Sequence, residues 1–154
     1  MMKILMTAMK TSISEVMETM FYLPVEFGEE TTLDQCGMAD NRPNMACQLE
    51  FSGDFSGCIT LLIPEDLLSE MTQSFMGESS ENLENEHLSG TLTETLNMIC
   101  GNTLSKVDSK IPFELDIPKI MEESKIPETQ IFTIVKTPQS MMAIGTLNTI
   151  NLTV

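Results

Sequence analysis

The chain has 154 residues, and eight Lys and Arg against 23 Asp and Glu give a formal net charge of −15. That balance argues against nucleic acid and against anionic membrane as partners, since a polyanion repels it, and suits a partner with exposed lysines. A chain of this size, read as one domain over residues 1–154, buries about two-thirds of its unfolded surface.

The hydrophobic fraction is 42%, with 14 Met and no Trp. Met, Leu and Ile must therefore fill the core, and the thioethers make its packing adaptable. A Met-rich contact surface is the alternative use of that composition.

Residues 1–10 hold only a short apolar run before Lys10, too short for the apolar stretch of a signal peptide. No window reaches the length of a transmembrane helix. The cytoplasm is the expected compartment. The sequon Asn151-Leu152-Thr153 has no meaning there.

The apolar spacing of Ile13, Val16, Met17, Met20 and Leu23 predicts a helix from Thr11 to Leu23, stopped by Pro24. The stretch Glu29–Asp40 is ambiguous and is read as a candidate edge strand. Asn41-Arg42-Pro43-Asn44 signals a turn.

Strands are predicted at Met45–Ser52 and Ser56–Ile63, joined at Gly53-Asp54. The nearly continuous apolar run from Cys58 to Ile63 marks the second as a central strand. Pro64-Glu65-Asp66 opens a short helix to about Met76, with Pro in its first turn and acids at its positive end, and Gly77 ends it. Glu78–Glu86 reads as a solvated acidic loop.

A longer helix is predicted over Leu88–Val107. Strands follow at Phe113–Ile117, Gln130–Thr137 and Ser140–Leu147, the last two joined at Pro138-Gln139. Pro118 and Pro127 bound the loop before them. The first helix and hairpin resemble the long helix and final hairpin, which suggests an internal duplication. The expected fold class is α+β: a mainly antiparallel sheet with two long helices packed on it and a short third helix.

Cys36, Cys47, Cys58 and Cys100 form no C-x-x-C, and His87 has no Cys or His nearby. That argues against zinc and against a thioredoxin-like motif, and the cysteines are read as buried thiols.

At about 100° per residue, Leu88, Leu92, Leu96, Ile99, Thr103 and Val107 of the long helix share one arc, extended by Cys100 and Leu104. The opposite face carries Gly90, Glu94, Asn97, Gly101, Ser105 and Asp108. Glu94 and Asn97, three apart, are neighbours there. A glycine inside a helix costs about 1 kcal/mol relative to Ala. Two of them beside a Glu–Asn pair point to a partner that approaches closely. A merely solvated face is the plainer reading of the pair, and a bent helix that of Gly101-Asn102.

The segment Glu94-Thr95-Leu96-Asn97-Met98-Ile99-Cys100-Gly101-Asn102 resembles the Glu-x-x-Asn-Met-Ile-x-Gly-Asn signature of CheX-like and CheC-like phosphatases. Glu15–Met20 looks like the family's opening helix. Phe55-Ser56-Gly57, before an apolar strand and a short helix, matches in order. Leu115-Asp116-Ile117-Pro118 resembles the Pro segment downstream of the motif, set slightly nearer the Asn. Gly90 stands where the family pattern has Asp or Ser. Thr11, Glu15 and Glu18 look like a second copy of the motif with Glu18 in place of Asn, so the chain resembles the one-site, CheX-like kind. Taken alone, Glu15 and Glu18 read as a solvated face.

The resemblance implies a CheC-like fold and a phosphatase that removes the aspartyl phosphate of a CheY-like response regulator, in chemotaxis or another two-component pathway. It assigns Asn97 to orienting the attacking water and Glu94 to a regulator lysine. No cofactor is expected in this chain, the Mg2+ being carried by the regulator. A homodimer is implied too. The alternatives are a non-catalytic module that binds a regulator, a relative of flagellar-switch domains, and an unrelated α+β domain with a chance motif.

Overall fold

The computed structural model describes residues 2–38, 43–77 and 83–148. The sequence-predicted turn at Asn41-Arg42, most of the predicted loop Glu78–Glu86 and the sequon at Asn151 lie outside them. The elements are α1 (Met2–Phe21), β1 (Glu26–Thr31), α2 (Leu33–Cys36), β2 (Asn44–Ser52), β3 (Gly57–Pro64), α3 (Glu65–Met76), α4 (Asn85–Ser105), β4 (Glu114–Leu115), β5 (Lys119–Met121), a 3-10 turn (Glu123–Lys125), β6 (Phe132–Lys136) and β7 (Met141–Asn148).

The seven strands form one sheet of order β1-β6-β7-β3-β2-β4, with β5 also on β2, and every pairing is antiparallel. Exchanging β1, β2 and β3 for the β4/β5 pair, β6 and β7 only reverses this order. The expected duplication is thus present in the topology, with each half lending its first strand to the other half's edge.

Alternation along the strands sends side chains to two cores. Cys47, Leu49 and Phe51 of β2 and Ile59, Leu61 and Ile63 of β3 meet the helices. Ala46, Leu62, Phe132, Ile134 and Ala143 face the other side, where Met38, Ile126 and the α2 residues Leu33 and Cys36 cover them. The β3 strand is buried on both faces, which is why its sequence is a continuous apolar run.

Several boundaries differ from the sequence reading. The first helix begins at Met2 rather than Thr11, because Leu5, Ala8 and Met9 continue the buried stripe of Ile13, Val16 and Met17. It ends at Phe21, before Pro24 acts. Tyr22 turns the chain with φ 55°, and Leu23 donates its N–H to the Met17 carbonyl at 3.0 Å. A left-handed conformation costs an L-residue about 1–2 kcal/mol. Pro64 closes β3 opposite Asn44 and only caps α3, which ends where expected with Gly77 at φ 69°.

The ambiguous stretch Glu29–Asp40 holds the end of the edge strand β1, which begins earlier at Glu26, and the short α2. The segment Phe113–Ile117 shrinks to β4, and the unpredicted β5 exists because Ala46–Gln48 supplies a pairing edge. Cys47 and Cys100 are buried as expected, but Cys36 and Cys58 are half-exposed. Burial pushes the Cys47 thiol up to about 12, and raises those of Cys100 and Cys58 as well.

Candidate functional site

The α4 helix starts three residues earlier than its apolar stripe suggests. His87 Nδ1 accepts the Glu84 N–H at 3.1 Å and closes the first turn, a role the isolated histidine did not advertise. The stripe Leu88, Leu92, Leu96, Ile99, Cys100, Thr103, Leu104 and Val107 is buried as predicted. Burying one Leu or Ile contributes about 1.5–3 kcal/mol as an upper figure, so this stripe sets the rotation of the helix.

Thr91 and Thr95 are buried too. The Thr95 hydroxyl donates to the Thr91 carbonyl at 2.6 Å and the Thr103 hydroxyl to that of Ile99 at 2.7 Å, so these two hydroxyls are satisfied along the helix.

The opposite face is open. Gly90, Glu94, Ser105 and Asp108 are exposed, and Asn97 and Gly101 are half-exposed. Neither Glu94 nor Asn97 is covered. Among the described residues neither side chain has a hydrogen-bond partner. Their Cβ atoms lie about 5–6 Å apart by helix geometry, close enough to act on one ligand.

The flanking glycines are not required by internal packing. A Cβ on Gly90 would meet nothing within 4 Å, and one on Gly101 only Leu115 Cδ1 at 3.9 Å. The stripe is thus an exposed, low-relief surface. It can offer a carboxylate, a carboxamide and helix backbone to a closely approaching partner.

Asn102, the last residue of the motif, does something else. Its Nδ2 donates to Glu15 Oε2 at 2.9 Å, and Lys106 Nζ reaches the same oxygen at 3.2 Å. The Lys106 ammonium also donates to Asn102 Oδ1 at 3.5 Å. The expectation of a merely solvated Glu15 is corrected: it ties α1 to α4, although its side chain keeps half its exposure. Glu18 is exposed as expected.

Glu15 meets Asn102 and Lys106 while Thr19 and Met20 share a cleft with Met98 and Asn102. The two helices therefore run antiparallel. Sequence reasoning missed this clamp because its partners are far apart in the chain. The one signal was an Asn inside the motif with no assigned task.

A neighbouring groove runs along the C-terminal half of the face, lined by Gly101, Ser105, Asp108, Ile111 and Leu115. Its outer wall is pinned by Phe113, whose ring packs edge-on with Phe51 and Phe55 at centroid distances of 6.0 and 5.1 Å.

The profile of the family described as chemotaxis phosphatase CheX matches residues 45–134, more than half of the chain, and the match contains Glu94, Asn97 and Asn102. The chain belongs to the CheX family.

Solved structures of CheX-type proteins share its fold. The CheX–CheY–BeF3–Mg2+ complex of Borrelia burgdorferi aligns with a TM-score of 0.75 at 16% identity, over 93% of this chain and 96% of that one. A CheC-like superfamily protein from Shewanella sp. PV-4 aligns with a TM-score of 0.74 at 16% identity, over 93% and 96%. The chemotaxis protein CheX of Vibrio vulnificus gives 0.73 at 17% identity, over 94% and 95%. At such identities the likeness is one of fold, the CheC-like α+β fold expected from the sequence. A comparison with curated proteins gives no match.

Proposed function

We propose that this chain is a chemotaxis phosphatase that hydrolyses the aspartyl phosphate of a CheY-like response regulator, with Asn97 orienting the attacking water and Glu94 docking on a regulator lysine. Family membership supports the reaction class, and a CheX-type protein of the same fold has been captured with CheY. The observation that carries the residue roles is the pairing of Glu94 with Asn97 on an exposed, glycine-flanked stripe, where both side chains lack partners among the described residues.

The chemistry suits those groups. Water oxygen attacks phosphorus, the bond from phosphorus to the aspartyl oxygen breaks, and phosphate and the regulator's carboxylate are released. The regulator, with its own Mg2+, holds the phosphoryl charge. What this chain adds is alignment. A carboxamide both donates and accepts, so it can hold a water in line, and being neutral it is not repelled by the phosphoryl oxygens. Aligning a nucleophile lowers a barrier by several kcal/mol, roughly, with no acid or base.

Glu94 suits a lysine through a charge-assisted bond, and that bond would draw the lysine away from the phosphate. On the same reading residues 1–154 act as one CheX-like domain, in the cytoplasm and as a homodimer. No helix among the described residues is long and apolar enough to cross a membrane.

The test is phosphate loss from a panel of phosphorylated regulators, spanning chemotaxis and other two-component pathways, with and without the protein. Accelerated loss for at least one regulator is expected. Binding without acceleration would replace this reading with that of a non-catalytic regulator-binding or flagellar-switch-related module, which the Gly90 departure from the family pattern keeps in view.

A further inference from the structure

Tyr22 sits where α1 ends, and three observations converge on it. First, it is the one non-glycine residue with positive φ among the described residues, at 55°. Glycine or asparagine ordinarily fills such a position. Second, the ring is hardly used by the described residues. Tyr22 is 82% exposed, and among the described residues its ring meets no other aromatic and its hydroxyl has no hydrogen-bond partner.

Third, its place is beside the candidate site. Met20 shares a cleft with Met98, and α1 runs antiparallel to α4. α1 ends at Phe21, so Tyr22 leaves it about 3 Å further along the axis than Met20, near the level of Asn97. Glu15 and Glu18 are exposed on α1, and Tyr22, one residue past its end, is exposed beyond them. Of these, Glu15 contacts α4.

We infer that Tyr22 is an aromatic anchor for the phosphorylated response regulator, gripping its surface beside the point where Glu94 and Asn97 act. The inference rests on the proposed function and adds to it a contact outside the Glu-x-x-Asn motif. A tyrosine suits the task because it offers a large apolar face and a hydroxyl, and loses few rotamers on binding. Gly or Asn would close α1 at this cap with less strain, so the cap alone does not account for a tyrosine here. Glu18, one turn before it, adds a carboxylate for a lysine-bearing rim.

The experiment uses the full chain and a regulator that the native protein dephosphorylates, and compares Tyr22→Gly, Tyr22→Asn and Tyr22→Phe with the native protein and Asn97→Ala. Gly and Asn both accept the backbone conformation, so the two ring-less variants should melt at or above the native midpoint. They should raise the half-saturating regulator concentration by at least about tenfold while the saturated rate stays within about threefold of native. Tyr22→Phe, which keeps the ring, should stay within about threefold of native in both.

Half-saturation unchanged in Tyr22→Gly and Tyr22→Asn overturns the anchor. If Asn97→Ala has then lost its acceleration, the phosphatase reading survives alone. A native protein that accelerates no regulator overturns both. A fall in saturated rate with half-saturation unchanged also overturns the anchor, since it places Tyr22 in the chemistry.

Discussion

Replacing Gly90 and Gly101 by alanine should make the fold more stable and the protein a poorer partner. Both residues lie inside α4, where a glycine costs about 1 kcal/mol relative to alanine. The added methyl at 90 enters open space, and at 101 it makes one ordinary contact with Leu115 at 3.9 Å. The sites are three turns apart, about 16 Å along the axis, so their effects should add. The double variant should gain about 2 kcal/mol, which for a chain of this size raises the melting midpoint by roughly 4–8 °C.

Thermal unfolding followed by circular dichroism reads the first half of the prediction. Regulator binding and phosphate loss read the second, where at least one should weaken, because both methyls stand on the face that the partner must approach. A stable variant with native binding and turnover would refute the argument that the glycines are there for close approach. A destabilised variant would refute the claim that nothing inside the chain requires them.

Two further substitutions and conditions test the frame around the site. Gly53→Ala should do the opposite of Gly90→Ala, since its Cβ would sit 2.5 Å from the Phe113 ring, itself packed on Phe51 and Phe55. Overpacking of this kind costs about 1–3 kcal/mol, read as a lower melting midpoint. The buried thiols predict an alkaline limit. Burial keeps Cys47 protonated in the folded state up to about 12, against 9.0 when unfolded, and raises Cys100 in the same direction. Their contribution is fully present below pH 9 and is lost as pH rises toward 12, so denaturant midpoints should fall above pH 9. Cys47→Ala should flatten that fall, and an unchanged slope would contradict the burial argument.

The site was legible in the sequence to the extent that it is local. Glu94 and Asn97 share a helix face by spacing alone, and the buried stripe opposite them fixes which way that face turns. The β3 strand was legible because burial on both sides leaves no polar alternation. What was not legible depends on distant partners. β5 is three residues directly after Pro118 and is a strand only because β2 offers an edge. The bond of Asn102 to Glu15 joins two helices that no local pattern relates, and Tyr22 looks like an ordinary helix residue until its φ is seen.

The start of α1 is a different case. Leu5, Met9 and Ile13 carry the helical period, but Thr7 and Lys10 between them, and Lys3 before them, hide where the helix begins.

The most direct test of the central claim separates binding from turnover at Asn97. With one regulator, affinity for its acyl-phosphate form and the rate of phosphate loss are measured for the native protein and Asn97→Ala. Affinity should stay within about threefold of native while the acceleration falls about 100-fold or more, as expected when a group acts mainly in the transition state. Acceleration that survives in Asn97→Ala would contradict the account.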